Sequence, residues 1–456
     1  MTAVDAFISA LHAAVGPEQV LVAGSGQDLA RFTTDWTGRF IGNGSVLVRP
    51  GNHDEVVAVV GICRRFKRPL VPQGGNTGLV GGSVPLEGEV VISMSRLKDI
   101  GEVDLVSRQV TVGAGVTLSE VHEIAAKVGL RYPVDFGARG SATVGGMVAT
   151  NAGGISVLRF GSTRQQLRGL TAVLGDGSTV SHLTGLIKDN TGYDLVSLLC
   201  GSEGTLGIVT SVRMQLVPAA QSITTVLVGC RDVGTAMAMV SGVTLLSQEI
   251  EAAEIMLSNG MDLVARAFGL EKPFEAGVYV LFDIATSDAA PDALLEFIAG
   301  SEGVLDTAMA TDSVSRERLW RWRDEHTPAI STLGPPLKFD ITVPLSRIDD
   351  FIASVTKQLT QQFPAIDLFI FGHVADGNLH VNISGFTSAD IEQLEELVLG
   401  LVSDRGGSIS AEHGIGTAKK KYLHLSRSPG DIAAMRSIKR ALDPDGIMNP
   451  NVLFAD

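Results

Sequence analysis

Apolar and polar residues follow two periods along this chain, and the places where one gives way to the other outline its elements. Residues 45–49 (SVLVR) make an apolar run closed by Pro50, which predicts a strand, and residues 54–67 predict an amphipathic helix ending in basic side chains. Pro69-Leu70-Val71-Pro72 predicts a short strand that feeds a glycine loop, and residues 90–95 and 109–112 predict two more. Thr117 opens a helix to Val128, with Glu120 as its capping-box partner. Residues 210–217 alternate as a strand and stop at Pro218. Further on, residues 224–229, 277–285, 339–344 and 367–373 read as strands, with helical stretches such as 234–246 and 348–361 between them. That order suits an antiparallel sheet covered on one side, an α+β layer.

Three fields of small residues interrupt the pattern. The first holds Gly74, Gly75, Gly78, Gly81 and Gly82; the second runs from Gly137 to Gly154; the third runs from Cys200 to Val209. In the first, backbone N–H groups can converge as an anion nest, for which a pyrophosphate is a natural occupant and a plain turn the alternative. Neither the G-x-G-x-x-G nor the G-x-x-x-x-G-K-[ST] pattern is present there. The second field suits backbone pressed against a flat ligand better than a side-chain core.

Composition narrows the class. A chain of 456 residues predicts two or more domains, and 45% hydrophobic residues with 52 glycines predict a well-buried protein rich in close backbone approaches. The net charge of −14 argues against non-specific nucleic-acid binding, so an anionic substrate needs local cations. Cys63, Cys200 and Cys230 form no C-x-x-C pair, which fits a reducing, cytoplasmic setting. The N-terminus has helical spacing but an early Asp5 and no basic leader, and no run reaches the roughly 18 apolar residues of a membrane span.

Candidate chemistry concentrates in residues 371–382 (FGHVADGNLHVN) and 411–414 (AEHG). His373 and His380 bracket a loop, and His380 and Asn382 share one strand face, while a second strand over 408–411 would deliver Glu412. Two imidazoles and a carboxylate leave coordination positions open, as in catalytic zinc and non-haem iron sites. Core histidines bonded only to backbone are the alternative. His413 is the candidate base. Cations come from residues 320–327 (WRWRDEHT), where a helical register sets Arg323 and Thr327 one turn apart, and from Lys338 at a strand start. A solvated salt-bridged face is the other reading of the first group. Lys419-Lys420-Lys421 reads as a solvated helix face or a dock for an acidic redox partner.

The segments PQGGNTGLVGG, YPVDFGARGSATVGGMVATNAGG, KDNTGYDLVSLLCGSEGTLGIVT and LDPDGIMNPN resemble FAD-linked oxidoreductases of the vanillyl-alcohol-oxidase type. Within that group the chain resembles D-2-hydroxyacid dehydrogenases, closest to those of D-2-hydroxyglutarate. The resemblance implies a two-subdomain FAD-binding fold over residues 1–218, an α+β cap over 219–430, and a C-terminal segment, 431–456, returning to the FAD domain. It implies that Pro72, Gln73, Gly74, Gly75, Asn76, Thr77, Gly78 and Leu79 cradle the pyrophosphate. Pro133, Gly140, Ser141, Gly145, Thr150, Asn151 and Gly154 would line the isoalloxazine and ribityl chain, with Gly204, Gly207 and Ile208 along the nucleotide and Asn449 joining from the tail. FAD would be non-covalent, since Asn76 and Thr77 stand where tethered members use His or Cys.

By the same resemblance His373, His380 and Glu412 would hold a divalent ion, zinc first and manganese or iron next, and hydride would pass to flavin N5. Arg323, Thr327, Lys338, Asn382 and His413 would bind substrate, in a pattern like the D-2-hydroxyglutarate branch. Electrons would leave to an electron-transfer flavoprotein or quinone, and a homodimer is possible. A D-lactate or glycolate dehydrogenase, or a non-catalytic FAD-binding subunit of an oxidase complex, are the competing readings.

Overall fold

A computed structural model of the chain describes residues 3–24, 29–286 and 292–455. Its contacts divide it into two compact units, one of residues 1–154, 161–219 and 412–456, the other of residues 155–160 and 220–411. The second unit closes at Ala411, whereas the sequence reading carried the cap to residue 430. The chain after Glu412 is tied to the first unit by its backbone: Thr417 and Ala418 N–H donate to Val80 O, and Leu453 N–H donates to Gly416 O.

The first unit holds two four-stranded sheets. In one, Val46–Val48, Val90–Ser93 and Leu70–Gln73 pair in parallel, with Val20–Val22 antiparallel at the edge. Parallel neighbours need a crossover. Helix His53–Arg65 supplies the one from Val46–Val48 to Leu70–Gln73, the strands on either side of Val90–Ser93, burying Val56, Val59, Val60 and Cys63 in one core with Val48, Leu70 and Ile92. Asn52 starts that helix by accepting the Glu55 N–H, and Arg64 and Arg65 end it at the negative end of the helix dipole. The other sheet, ordered Gln109–Gly113, Gly207–Gln215, Leu167–Leu174, Thr179–His182, is antiparallel throughout. Helix Leu118–Ala126 packs on it through Leu118 and Val121, and its Thr117–Glu120 capping box forms as the sequence predicts.

The second unit is one antiparallel sheet of seven strands, in the order Val304–Ala310, Ser222–Cys230, Val278–Thr286, Ile250–Leu257, Asp367–His373, Asn378–Ser384, Leu337–Thr342. The expectation of a sheet covered on one side is corrected. Met256, Tyr279 and Phe371 pack with helices Ser258–Phe268 and Ser313–Asp324 on one face, while Ile255, Val280 and Phe282, of opposite parity, are equally buried on the other. The expected strand over 408–411 is also corrected: only a single bridge, Thr342 to Ser408, forms. Ser408 Oγ accepts the Ser410 N–H, which interrupts the ladder, and the next backbone bond to that strand is Ala411 N–H to Asp340 O.

The C-terminal segment is pinned by one carboxylate. Buried Asp443 accepts the N–H groups of Ile447 (3.0 Å) and Met448 (2.9 Å) and pairs with Lys439 Nζ, which also donates to Thr205 O and Met448 O. Leu70 and residues 447–449 then exchange backbone bonds, Leu70 N–H to Ile447 O and Asn449 N–H to Leu70 O. Asp443→Ala leaves a half-buried ammonium without its counter-charge and two amides without their acceptor, a loss on the order of 3–5 kcal/mol. The expected result is a fall of about 10 °C in thermal midpoint, read by flavin fluorescence; an unchanged midpoint would contradict this role.

Candidate metal centre and flavin cradle

His373 ends the strand Asp367–His373 and His380 lies in the returning strand Asn378–Ser384, with Gly377 at φ 82 closing the hairpin. The register pairs Phe371 with His380, so His380 and His373 lie on one sheet face, their rings 5.3 Å apart and edge to face. Glu412 comes directly after Ala411, whose N–H reaches Asp340 O at 3.3 Å, so the neighbouring strand sets where it starts. His373, His380 and Glu412 each offer a ligand atom, and all three atoms lie within 4.8 Å of one another. The set fits a divalent ion by its chemistry: two imidazoles and a carboxylate with positions left for substrate. Among the described residues no other group of three such side chains converges in this way.

Alternation brings more polar residues to the same face. Lys338 is the cross-strand partner of Asn382, and Asp340 that of His380. Burial lowers the Lys338 amine below its ordinary range, and Asn382 is itself buried. Asp340 accepts from Asn378 Nδ2 at 2.8 Å, while its carboxylate stays 3.7 Å from His380 Nδ1, too long for a hydrogen bond. Asp376, in the hairpin, is raised by burial against the charge of His373.

Two residues that the sequence did not single out hold this face together. Glu254, 0% exposed on the strand Ile250–Leu257, takes His373 Nδ1 on one oxygen and Arg323 Nε on the other, both at 2.5 Å. Burial pushes its carboxyl up, but the charges of His373 and Arg323 outweigh that and hold it well below the usual carboxylate range. Arg323 therefore reaches this region with its Nε committed and its guanidinium 4.6 Å over the Phe371 ring. Thr327 sits in the next helix, His326–Ser331, after a junction at Glu325 that keeps helical angles (φ −79°, ψ −2°).

The second unforeseen residue is His326, fully buried, with Nδ1 on Trp322 O at 2.7 Å and Nε2 without a partner. Burial, then the nearby Arg323 charge, lowers its imidazole to about 4; Trp322 O and Glu254 oppose the shift. Unfolded, the ring takes a proton near its ordinary 6.5, so between pH 6.5 and about 4 the unfolded state binds more protons and stability falls with pH. The loss over that window is on the order of 3 kcal/mol and levels off below it. In His326→Gln the thermal midpoint should vary less steeply between those pH values; an equal slope would contradict this.

In the first unit the small-residue fields meet. A Cβ on Gly74 would lie 2.3 Å from Thr143 Oγ1, one on Gly75 1.9 Å from Ser141 O, and one on Gly204 2.5 Å from Pro72 Cγ. A Cβ on Gly145 would lie 2.7 Å from Ala114 Cβ, and one on Gly154, at φ 141, 2.2 Å from Asp135 O. Thr143 caps the helix Val144–Thr150, and Asn151, at φ 52, ends it while accepting from Ser162 and Arg164. Pro133, Gly140, Ser141 and Thr150 lie along this turn and helix, with Gly78 and Gly140 facing open space. Asn76, at φ 53, donates to Arg31 O and Thr34 O; Gln73 donates to Phe32 O and Ser83 O. Both side chains therefore shape the loop. Thr77 and Leu79 belong to that loop, Gly207 opens a strand, and Ile208 is buried in the core.

Asn449, at φ 41, donates to Gly82 O and Glu203 O, joining the first and third fields to the tail. Its Oδ1 and that of Asp135 are buried without a partner, acceptors suited to hydroxyl or N–H groups of a bound flavin nucleotide. The cradle thus fits FAD. Glu203, raised by burial, accepts Ile415 and Gly416 N–H at 2.9 and 2.7 Å, fixing the loop just after His413.

Residues 219–453 match the family described as FAD linked oxidases, C-terminal domain, and residues 44–182 match the FAD binding domain family. A D-2-hydroxyglutarate dehydrogenase of Xanthomonas citri pv. viticola is 37% identical over 94% of this chain and 93% of its own length. The chain belongs to the FAD-linked D-2-hydroxyacid dehydrogenases. Another relative of this flavoenzyme is the D-2-hydroxyglutarate–pyruvate transhydrogenase of Saccharomyces cerevisiae, 34% identical over 95% of this chain and 91% of that one. Among solved structures, p-cresol methylhydroxylase with substrate bound superposes with a TM-score of 0.79 at 17% identity, covering 100% of this dehydrogenase and 97% of that chain. That likeness shows the vanillyl-alcohol-oxidase type of fold, as the motifs implied.

Proposed function

We propose that the dehydrogenase oxidises D-2-hydroxyglutarate to 2-oxoglutarate. The observation that carries the proposal is one sheet face bearing His373, His380, Lys338 and Asn382, with a Glu412 carboxylate oxygen within 4.8 Å of the two imidazole ligand atoms. FAD and a divalent ion, when bound, supply a hydride acceptor at flavin N5 and a Lewis acid that lowers the hydroxyl pKa. His413 takes the hydroxyl proton as the C2 hydrogen leaves with its electron pair. Lys338, only partly exposed, holds a carboxylate as a point charge; Asn382 donates to a substrate oxygen, and Arg323 with Thr327 receives the second carboxylate. The names of the relatives support the diacid, and that of the yeast enzyme supports an organic acceptor beside electron-transfer flavoprotein or quinone.

One observation favours a second reading: Arg323 Nε is already paired with Glu254, which suits a monoacid such as D-lactate. Steady-state turnover on a panel of D-2-hydroxy acids with an artificial dye separates the two. The diacid reading expects kcat/KM for D-2-hydroxyglutarate to exceed that for D-lactate by at least about tenfold, one carboxylate contact at 1.4 kcal/mol or more. Equal values would overturn it. A cytoplasmic setting belongs to the same proposal, since Cys63, Cys200 and Cys230 are all free and buried.

A further inference from the structure

Glu254 is neither a ligand nor a substrate anchor in the proposed reaction, yet the fold encloses it completely. A carboxylate is costly to bury unless its partners compensate. Both of its oxygens are used: Oε1 on His373 Nδ1 and Oε2 on Arg323 Nε. The first contact is between direct cross-strand partners, since the register sets Glu254 opposite His373. Its geometry is therefore held by a ladder on both sides rather than by a loop.

An imidazole has two nitrogens, and the group that one of them faces decides which carries the proton. A carboxylate beside Nδ1 keeps the proton there and turns the Nε2 lone pair toward the other end of the ring, where an ion on His380 and Glu412 would sit. The same carboxylate fixes Arg323, whose guanidinium is clamped between Glu254 and the face of Phe371, the cross-strand partner of His380. Asp340 holds no equivalent position behind His380, because 3.7 Å separates them.

We propose that Glu254 is a positioning residue: it locks His373 as the Nδ1–H tautomer, so that Nε2 is the nitrogen offered to a divalent ion, and through its other oxygen it ties that ligand to Arg323. The proposal rests on the reading of His373, His380 and Glu412 as a divalent-ion site. Loss of the carboxylate frees the ring to rotate and to adopt the other tautomer, so ion affinity falls even where the fold survives.

The test uses the full-length FAD-bound enzyme, stripped of ions and titrated with zinc against a chromophoric chelator, then reloaded with cobalt for its ligand-field spectrum. Glu254→Gln is expected to bind zinc about 10- to 100-fold more weakly than wild type, with an altered cobalt spectrum and unchanged FAD content. Glu254→Asp keeps the charge opposite Arg323, and so the fold, but draws the carboxylate back from His373; the same direction of change is expected. Zinc affinity within twofold of wild type in either folded variant overturns the proposal and leaves the proposed function standing. A wild-type enzyme that takes up no zinc, manganese or iron overturns both. Misfolding of both variants would show Glu254 to be a structural acid only, and would overturn it too.

Discussion

Replacing His380 by alanine is expected to lower kcat/KM for D-2-hydroxyglutarate by about a thousandfold or more, with FAD still bound. The ion proposed for this site would contribute several kcal/mol of stabilisation to the alkoxide charge that develops as the hydroxyl proton leaves, and roughly 4 kcal/mol corresponds to a thousandfold. Two imidazoles and one carboxylate are a minimal set, so removing one leaves a pair that holds an ion poorly. His380 lies on the strand Asn378–Ser384 in the second unit, whereas the cradle glycines and Asn449 are in the first, so the yellow colour should persist. Activity within tenfold of wild type, with full FAD content, would count against the ion's role. Glu412→Gln should behave alike, because Glu412 supplies the third ligand atom.

A comparably large effect is expected from a single methyl group in the cradle. Gly75→Ala places a Cβ 1.9 Å from Ser141 O, 2.7 Å from Ser141 C and 3.3 Å from Ala142 Cα. All three are backbone atoms, so no side chain can swing aside, and one of the two loops must move by more than about 1 Å. The variant should lose at least about tenfold in FAD affinity, which is 1.4 kcal/mol, or be recovered as colourless protein. Gly61→Ala is the control: its Cβ meets nothing within 4 Å in the helix His53–Arg65, so FAD content should be unchanged and stability equal or higher. Gly75→Ala with wild-type FAD affinity would show that the loops are not closed on one another.

Much of this arrangement can be read from the chain because its signals are local. The strand Asp367–His373 has the bounds the sequence predicts, and the helices Val233–Leu246 and Ile348–Gln362 match to within a residue at their ends. His373, His380 and Glu412 stand out as ionisable groups in apolar surroundings, and the structure brings their ligand atoms together. Glu254 escaped notice because its meaning is non-local. Its partners are 119 and 69 residues away, and IEAAEIML carries no mark distinguishing a buried acid from a surface one. The signal available was a strand of uniformly buried pattern with two acids in it, each of which needs a cation; Glu251 has Arg159 and Glu254 has Arg323. The acid partner of Arg323 is invisible in the linear pattern for the same reason.

The short segment before Glu412 was misread for a different physical cause. Alternation in SISA suits a strand, yet Ser408 and Ser410 bond to each other through side chain and backbone and interrupt the ladder after one bridge, Ala411 N–H reaching Asp340 O beyond the break. The position of His413 then depends on its C-terminal neighbours: Gly414 at φ 82, and the Ile415 and Gly416 N–H groups that Glu203 accepts. Small polar residues compete with the ladder for the backbone, and that competition is decided by tertiary partners.

The most direct test of the central claim is the anaerobic reduction of the enzyme's own flavin by D-2-hydroxyglutarate, monitored by stopped flow in three samples: as purified, stripped of divalent ions, and stripped then reloaded with zinc. The account predicts rapid bleaching in the first and third and bleaching slowed by at least about a hundredfold in the second, roughly 2.7 kcal/mol of barrier. Equal bleaching rates in all three would contradict it.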